Sequence, residues 1–317
     1  MQPKKIPVWL DCDPGHDDAM AIILASYDPH IELLGISTVC GNQTVEKTTA
    51  NALKTLELAG ITGIEVVRGA DEGLCRPSRA CPEIHGSSGL GGADLPEPKQ
   101  KPVNENAIVR MQRIISTCKD KVSLLGTAQL TNIALLLKTF PEVKSNISQI
   151  VVMGGAIGIG NMQPASEWNI EGDPEAALAV FNCGLKVVMI PIELTHTVLV
   201  TKDIFTKIEN YNTHFGNILV KLLSFFAETY KTVFRMPDPP LHDPCTVAYI
   251  IAPEIFVTEF MHVDVETGSK CSDGRTNCDV FGMTKLPKNV HVAVKIDVDK
   301  FWELMINALN QANDKVK

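Results

Sequence analysis

The sequence is poor in aromatic residues and in positive charge. Aromatic side chains make up 6% of the 317 residues, and only three of them are tryptophans. The 29 lysines and arginines are outnumbered by 37 aspartates and glutamates, which gives a formal net charge of −8. We therefore expect no nucleic-acid partner, because proteins that bind a phosphate backbone carry an excess of basic side chains.

Membrane-length apolar runs and zinc-type cysteine spacing are also missing. No apolar run reaches the roughly 20 residues that span a bilayer, so we expect no membrane association. Aspartates interrupt the apolar start of the chain at position 11, which is not typical of a secretory signal. The nine cysteines are odd in number and lack the spacing of zinc ligands. These features predict reduced cysteines and a cytoplasmic protein.

Apolar strands alternate with helical patterns along the whole chain. The predicted strands are 6–12, 31–40, 64–67, 121–126, 148–153, 186–190 and 290–297. The predicted helices lie near 17–27, 44–60, 104–118, 128–138, 173–183, 203–211, 216–233, 243–252 and 299–313. Runs such as "IVVM" are typical of strands buried on both faces. We predict an α/β fold, with one large domain over residues 1–317. Its sheet is mostly parallel and doubly wound (Rossmann-like), with helices on both faces.

Polar residues gather directly after the predicted strands. Asp11 and Asp13 end the first strand, Asn42 follows the second, and Thr127 follows the fourth. Ligands bind at the carboxyl ends of the strands in doubly wound sheets, so we expect the active site at this edge. The Gly- and Pro-rich stretch 69–102 is either a lid over that edge or a solvated insertion.

The opening "VWLDCDPGHDDAM" raises a question of charge, because Asp11, Asp13, Asp17 and Asp18 fall within eight positions. Acids favoured at a helix N-terminus explain Asp17 or Asp18 but leave the first two unexplained. A phosphoryl-transfer hydrolase of the haloacid dehalogenase type also opens with D-x-D, but Gly15 stands where that motif has threonine. A hard-cation site answers the repulsion directly, because calcium is bound by several carboxylate oxygens.

A second motif supplies a later carboxylate. "PPLHDPCTVAYIIAPE" places His242 and Asp243 just before a predicted helix whose first residue is Pro244. The two residues of such a pair can have different roles, in which Asp243 binds a metal and His242 transfers a proton. Taken alone, the pair is weak evidence for such a site, and an exposed surface loop is the more common explanation.

Five blocks together carry a family resemblance. They are "DCDPGHDDAMAI", "GTAQLTNIALLL", "VVMGGAIGIGNMQPASEWNIEGDPEAA", "ELTHTV" and "LHDPCTVAYIIAPE". In this order and spacing they resemble the inosine–uridine preferring nucleoside hydrolase family, from about residue 6 to about residue 313. The resemblance implies hydrolysis of the N-glycosidic bond of ribonucleosides to ribose and free base. It also implies calcium as the cofactor and a homo-oligomer, either a dimer or a tetramer.

The resemblance assigns the metal site and the two proton-transfer groups. The implied calcium ligands are Asp13, Asp18, the backbone carbonyl of Thr127, and Asp243. Asp13 is also the implied general base, which is compatible with a carboxylate because a metal lowers the pKa of water. His242 is the implied general acid, on the side of the leaving base, and acts directly or through a short relay.

The resemblance also implies the residues around the ribose. Asp17 binds the ribose diol, and Met153 packs nearby. The remaining ribose contacts are Asn42, Asn161, Glu167 and Asn169. Carboxylate and amide oxygens suit this position because positive charge develops on the ribose in an oxocarbenium-like transition state. Asn161 and Asn169 have an alternative role, which is simply to form turns.

The base side carries further assignments. His85 matches a family histidine on a mobile loop over the base, and Tyr230 and Phe226 lie where the family has base-facing residues. Packing within a helix is the alternative for these two aromatics. We expect His196 to support the site and Asp11 to orient it from the second layer.

Base preference is predicted from the same comparison. "PGHDD" and "HGSSGLGGADLPEP" look nearest to pyrimidine-preferring members, whereas purine-specific members offer tryptophans to stack the base. Trp9 and Trp302 look like core residues, and Trp168 stands beside the ribose contacts. We expect uridine and cytidine to be favoured, with inosine possible, in nucleoside salvage or catabolism. "GRTNCDVFG" departs from the family's R-G-x-T-V-V-D, so residues 272–282 receive no role at the base.

Two alternatives remain at this point. One is a hydrolase of another N-riboside, such as a modified nucleoside. The other is a nucleoside- or ribose-binding protein without turnover, although such a protein has no need of a positioned base and acid.

Overall fold

A central eight-stranded sheet organises the chain. The computed structural model describes residues 4–317. Its strands are β1 (Ile6–Cys12), β2 (Ile31–Thr38), β3 (Val66–Arg68), β4 (Val122–Gly126), β5 (Ile147–Met153), β6 (Val187–Ile190), β7 (Phe256–Met261), β8 (Val263–Val265), β9 (Thr276–Cys278) and β10 (Val290–Ile296). The sheet order is β3-β2-β1-β4-β5-β6-β10-β7, and β8 pairs with β9 in a separate two-stranded sheet. In the large sheet only the pair β10–β7 is antiparallel, so the predicted mostly parallel sheet is confirmed.

Helices cover both faces of this sheet. They are α1 (His16–Tyr27), α2 (Val45–Leu58), α3 (Pro82–His85), α4 (Ala107–Thr117), α5 (Thr131–Thr139), α6 (Trp168–Gly172), α7 (Pro174–Phe181), α8 (Ile192–Thr195), α9 (Lys202–Glu209), α10 (His214–Thr229), α11 (Pro244–Ile251) and α12 (Val298–Val316). One apolar core packs α1, α2, α10, α11 and α12 against one face. A second core packs α4, α5 and α7 against the other, as expected of a doubly wound domain.

Helix α1 carries two of the crowded aspartates into the interior. Its start is stabilised by the backbone N–H of Gly15, which donates to the Asp18 carboxylate at 3.0 Å. Every residue from His16 to Ala25 is buried, because α1 packs against α2, α11, α12 and β2. A helix that is apolar on all sides is stable only inside a core. Asp17 and Asp18 are therefore buried with the helix that bears them.

The strand order reverses between β1 and β4, and this reversal locates the site. From β1 the sheet continues through β2 and β3 in one direction, and from β4 it continues through β5 and β6 in the other. Asp11 pairs with Gly126 in the register of β1 and β4, so Asp13 and Thr127 emerge next to each other. A crevice at such a reversal point is the usual ligand site of this architecture.

Several strands and short helices were absent from the sequence prediction. The antiparallel edge strand β7 and the short strands β8 and β9 were not predicted. Val257 and Phe260 of β7 are exposed, which breaks the buried apolar pattern by which the inner strands are found. The short helices α3, α6 and α8 were also missed, because four or five residues carry no helical period. The predicted helix 216–233 ends at Thr229 and continues as a π-helical turn over Tyr230–Phe234.

The long stretch 69–102 packs against the domain. It contains α3, and Arg76 forms ion pairs with Glu175 and Asp273. Backbone N–H of Leu74 donates to Asp173 at 2.8 Å. These contacts do not fit a merely solvated insertion, while its role as a lid stays a prediction.

Two expectations about chemistry and location can be compared with the structure. All nine cysteines are free thiols, as predicted. Among residues 4–317 no helix has both the length and the apolar character required to cross a bilayer.

Candidate active site

One pocket opens at the carboxyl ends of the central strands. The eight predicted substrate-binding residues all line it, namely Asp17, Asn42, His85, Met153, Asn161, Glu167, Asn169 and Tyr230. Thr127, Phe226, His242 and Asp243 line it as well. Asp11, Asp13, Asp18 and His196 are not part of the lining, and the three aspartates are fully buried next to it. Segments that are far apart in sequence therefore converge on one cavity, as the strand-end pattern predicted.

Three carboxylates form the candidate metal site. Oxygen atoms of Asp17, Asp18 and Asp243 lie within 4.8 Å of one another, and all three side chains are buried. Asp17 and Asp18 are consecutive on α1, and Asp243 directly precedes α11. The structure thus adds Asp17 to the carboxylates of the predicted calcium site and places Asp13 beside this group instead of within it.

Asn42 links Asp13 to the carboxylate group. Its backbone N–H donates to Asp13 Oδ2 at 2.6 Å, and its Nδ2 donates to Asp13 Oδ1 at 3.3 Å and Asp18 Oδ2 at 3.1 Å. The loop at Gly41 approaches so closely that a Cβ atom there would lie 2.0 Å from Asp13 Oδ2. Asp13 is therefore held in one position, and the amide donors of Asn42 are already used by carboxylates.

Thr127 connects the candidate metal site to the predicted ribose contacts. Its hydroxyl donates to Asp18 Oδ1 at 2.9 Å. Its carbonyl oxygen, a predicted metal ligand, accepts from Asn169 Nδ2 at 3.1 Å, and the same nitrogen donates to the Met153 carbonyl at 3.0 Å. This leaves Asn169 Oδ1 as the atom of that amide available to a substrate hydroxyl.

The buried aspartates have raised pKa values and no basic partner among residues 4–317. Burial raises the pKa of Asp17 to about 7, and the charge of Asp18 adds to the rise. Burial also raises the pKa of Asp18, and it raises that of Asp243 and Asp13 well above the ordinary range, with repulsion from neighbouring aspartates contributing. No lysine or arginine among residues 4–317 pairs with any of them. Buried carboxylates of this kind are paired or bind metal, so the donor set fits a divalent cation.

Glu167 and Asn161 position the segment after β5. Glu167 caps α6, where Oε1 accepts from Asn169 N at 2.9 Å and Oε2 accepts from Ile170 N at 3.2 Å and Gly155 N at 2.9 Å. Burial nevertheless raises the pKa of Glu167 to about 7. Asn161 Oδ1 accepts from the backbone N–H of Trp168 at 3.0 Å. Both predicted ribose contacts therefore also shape the turn, and the two roles are compatible.

His242 is the centre of a buried polar chain. Its Nδ1 lies 2.6 Å from Thr195 Oγ1, and its Nε2 lies 2.6 Å from Tyr230 Oη. Burial lowers the pKa of His242 well below its usual value, and nearby His196 adds to this effect. The ring is therefore neutral, and it can donate through one nitrogen and accept through the other. The Tyr230 hydroxyl is the end of this chain that lines the pocket.

Aromatic rings enclose the part of the pocket that is predicted to receive the base. Phe226 and Tyr230 pack edge to face with centroids 4.8 Å apart, and His85 stacks on Phe226 at 5.5 Å. Phe226 and Tyr230 therefore pack against each other along the helix and also line the pocket. Arg79 lies over the Trp168 ring at 4.8 Å, and Trp168 also lines the pocket.

Asp11 and His196, the two predicted supporting residues, differ in how they contact the site. Asp11 accepts from Ser37 Oγ at 2.5 Å and Asn132 Nδ2 at 2.8 Å, directly beneath the strand end that bears Asp13. His196 lies with its ring 5.6 Å from that of His242 and makes no side-chain hydrogen bond to it. The hydrogen bond to His242 comes from the preceding residue, Thr195.

Sequence reasoning missed Thr195 and His16. Thr195 stands in the block "ELTHTV", in which the histidine is the more obvious candidate because it titrates near neutral pH. His16 stands inside the opening motif, with Nδ1 3.1 Å from His85 Nδ1. Its position within "PGHDD" was the available signal, although no spacing rule connects it with a residue 69 positions away.

Comparison with known proteins agrees with this geometry. A family model described as inosine-uridine preferring nucleoside hydrolase matches residues 8–303. A probable ribonucleoside hydrolase of Dictyostelium discoideum is 48% identical, over 96% of this chain and 94% of that protein. The pyrimidine-specific ribonucleoside hydrolase RihA of Escherichia coli is 41% identical, over 96% of this chain and 98% of that protein.

A solved structure has the same fold over nearly the full length. The purine-preferring ribonucleoside hydrolase from Gardnerella vaginalis superposes with a TM-score of 0.90 at 31% identity, covering 97% of this chain and 99% of that one. The buried acidic cluster is in keeping with the metal dependence of such hydrolases. The chain belongs to the inosine-uridine preferring nucleoside hydrolase family and is a ribonucleoside hydrolase.

Proposed function

We propose that this enzyme is a calcium-dependent hydrolase that favours uridine and cytidine over inosine and acts in nucleoside salvage or catabolism. The observation that carries the metal requirement is the group Asp17, Asp18 and Asp243, three buried carboxylates without a basic partner in residues 4–317. Calcium suits it because this ion takes several oxygen ligands and tolerates irregular geometry.

The proposed calcium ligands are Asp13, Asp18, Asp243 and the carbonyl oxygen of Thr127. Asp17 is assigned to the ribose diol, because it lines the pocket directly beside these ligands. When bound, the ion neutralises the carboxylates and supplies Lewis acidity that lowers the pKa of water.

The chain's own residues then have distinct tasks. An Asp13 carboxylate oxygen takes a proton from the attacking water, and Asn42 keeps that carboxylate in place. Glu167 and Asn169 line the pocket, and their side-chain oxygens stabilise the positive charge that develops on the ribose in this proposal. The departing base receives its proton from the Tyr230 hydroxyl, whose oxygen takes a proton from Nε2 of His242, and the enzyme recovers this proton from solvent after the products leave. Thr195 holds the His242 ring in place through Nδ1.

Two observations support a pyrimidine preference: the positions of the three tryptophans and the description of one relative. Trp9 is bonded to Ser37 in the core and Trp302 is buried on α12, so neither can stack on a base. Trp168 lines the pocket, and Arg79 lies over its ring. The RihA relative bears the description pyrimidine-specific, whereas the structural neighbour from Gardnerella vaginalis is described as purine-preferring.

A nucleoside panel tests the proposal. Calcium-loaded protein is incubated separately with uridine, cytidine and inosine, and free ribose is measured over time. We expect ribose from all three, with higher kcat/KM for the pyrimidines. A higher value for inosine would reverse the base preference while leaving the reaction class intact.

The same panel separates the alternatives. A hydrolase of another N-riboside would release ribose from none of the three, but would do so from a modified nucleoside. A binding protein would bind nucleosides saturably and release no ribose from any. The proton-transfer chain through His242 argues against binding alone, because a binding site has no use for it.

We further propose a homo-oligomer, a dimer or a tetramer, located in the cytoplasm. Light scattering at working concentration is expected to return a multiple of the 34.6 kDa chain mass. A single species of 34.6 kDa would contradict this.

A further inference from the structure

The segment that follows β5 is rich in glycine and has little apolar packing of its own. Residues 154–160 read "GGAIGIG", so four of the seven positions are glycine. A Cβ at Gly158 would meet no atom within 4 Å, and the side chain of Ile159 is 46% exposed. Glycine gives a chain conformational freedom instead of a preferred conformation. The segment therefore needs polar contacts to be ordered, and it leads directly into Asn161 of the pocket.

One carboxylate oxygen supplies three of these contacts. Oε1 of Glu193 accepts from the backbone N–H groups of Ile157 at 2.9 Å, Gly158 at 2.7 Å and Ile159 at 3.1 Å. Successive N–H groups that converge on one oxygen form an anion site, and in this chain the anion is a side chain of the protein itself. The negative charge of the acceptor strengthens each hydrogen bond. Glu193 therefore fixes three consecutive peptide units shortly before Asn161.

Helix α8 carries Glu193 and also reaches the proton-transfer chain. Thr195, two residues after Glu193, lies with Oγ1 2.6 Å from His242 Nδ1. The first residue of the helix, Ile192, donates its backbone N–H to the carbonyl oxygen of Gly155 at 3.1 Å. One helical turn thus contacts both the glycine-rich segment and His242.

Asn161 has one side-chain atom left for a ligand. Its Oδ1 accepts from the backbone N–H groups of Met162 at 2.7 Å and Trp168 at 3.0 Å. Within residues 4–317 its Nδ2 makes no hydrogen bond, although Asn161 lines the pocket. An amide nitrogen can only donate, so it suits a hydroxyl oxygen of the sugar. Its position depends on the preceding peptide units, which Glu193 holds.

We propose that Glu193 is a positioning residue that orders residues 157–159 and so presents Asn161 Nδ2 to a ribose hydroxyl. The inference rests on the proposed function, in which Asn161 contacts the sugar. Glu193 does not line the pocket, so it acts through Asn161 and not on the substrate. Because α8 also carries Thr195, the sugar contact is held in a fixed position relative to His242.

The ordering of the segment is tested without turnover. Hydrogen–deuterium exchange is followed by mass spectrometry in peptides that cover residues 154–161. In the wild type we expect the three amide hydrogens bound to Glu193 to be protected, and Glu193→Ala should remove this protection. Wild-type exchange as fast as in an unstructured peptide would overturn the inference. That measurement needs neither a variant nor a substrate.

The action through Asn161 is tested by a double-mutant cycle with Asn161→Ala. Glu193→Ala alone is expected to lower kcat/KM for uridine about 10-fold, the loss that corresponds to one hydrogen bond to the substrate. It should lower kcat/KM for a nitrophenyl riboside by the same factor, because both substrates carry the ribose. In the Asn161→Ala background it should have no further effect, since no amide is left to position. A merely structural role would give the same loss in both backgrounds, and that result would overturn the inference.

Two further variants complete the test. Glu193→Gln keeps an acceptor oxygen without its charge, so its loss of kcat/KM should be smaller and should also disappear in the Asn161→Ala background. This variant replaces Glu193→Ala in the cycle if the alanine variant does not fold. Glu266→Ala is the matched control, because Glu266 Oε1 accepts from the backbone N–H of Gly268 at 2.9 Å away from the pocket. It should leave kcat/KM unchanged.

The two substrates also separate the inference from its alternatives. A loss in Glu193→Ala that is larger for uridine than for the nitrophenyl riboside would mean that Glu193 acts through His242, and would overturn the route through Asn161. If no nucleoside yields ribose, the proposed function fails, while hydrogen exchange still decides whether Glu193 orders residues 157–159.

Discussion

The hydroxyl oxygen of Tyr230 lies 2.6 Å from Nε2 of His242, and the opposite nitrogen of that ring is engaged by Thr195. His242 was predicted to act on the leaving base directly or through a short relay. Because both of its ring nitrogens are occupied, the relay through Tyr230 is the geometry that the structure supports. This arrangement makes the tyrosine hydroxyl as important as the histidine.

The first prediction concerns this chain of proton donors. A nitrophenyl riboside has a leaving group that is stable as an anion, so it needs no proton. His242→Ala and Tyr230→Phe are therefore expected to lower kcat for uridine by about 10²–10⁴-fold, with a much smaller effect on the nitrophenyl substrate. Steady-state kinetics with both substrates measures the difference.

Asn169→Ala is the matched comparison. Asn169 is a proposed ribose contact, and the two substrates share the ribose. The activation free energy of both reactions should therefore rise alike, by about 1–3 kcal/mol. If His242→Ala slows both substrates equally, His242 and Tyr230 are not the proton donors, and the role passes to His85.

The second prediction concerns the metal. Removing it with a strong chelator is expected to abolish ribose release, because the carboxylates near Asp243 would face one another uncompensated. Calcium should restore activity better than zinc, since the donor set consists of oxygens. Added calcium should also raise the Tm of the chelated protein, because a ligand of the native state stabilises it. Full activity of a metal-free protein would rule out the proposed site.

The third prediction concerns Asp13, which combines the proposed roles of general base and metal ligand. Asp13→Asn preserves the shape of the side chain and removes the proton acceptor, so kcat should fall by about 10²–10⁴-fold or more. Asp314→Asn, on the exposed part of α12, is the control and should behave as wild type. Turnover close to wild type in calcium-loaded Asp13→Asn would remove Asp13 from the mechanism.

The fourth prediction uses the raised pKa of Glu167. Burial lifts it from its ordinary 4.5 to about 7, so between these pH values the folded state holds a proton that the unfolded state has lost. The stability that Glu167 contributes is thus full below about pH 4.5 and is lost as the pH rises through about 7. Glu167→Gln lacks this titration.

Urea unfolding of both proteins between pH 5 and pH 8 measures the effect. The free energy of unfolding of the wild type, relative to Glu167→Gln, is expected to decline across this range and to level off above it. A difference that stays constant with pH would show that the Glu167 carboxyl titrates near its ordinary value.

Much of the fold was predictable because its inner strands carry an unbroken apolar signal. Runs such as β5 are buried on both sides, and such runs have few alternatives in a doubly wound sheet. The edge strand β7 was missed because it is only half covered and places Val257 and Phe260 in solvent. The pairing of an antiparallel edge strand depends on the free backbone N–H and C=O groups of the neighbouring strand. The local sequence of the edge strand does not encode this.

The residues around the site could be named from motifs, but their partners could not. Every residue predicted to contact substrate lines one pocket, because the motifs stand at strand ends. The hydrogen bonds of Thr195 with His242 and of His16 with His85 join segments 47 and 69 positions apart. Such pairings follow from the three-dimensional arrangement of the loops, and they cannot be predicted from residue spacing.

Because α1 is buried, the site can unfold only when the whole domain unfolds. From His16 to Ala25 this helix has no face toward water, so its amide hydrogens can exchange only when the surrounding layers separate. The carboxylates of Asp17 and Asp18 cannot swing aside in a local fluctuation. On heating, the enzyme should therefore keep its site intact until it melts as one unit, without passing through a folded form in which α1 alone is loosened.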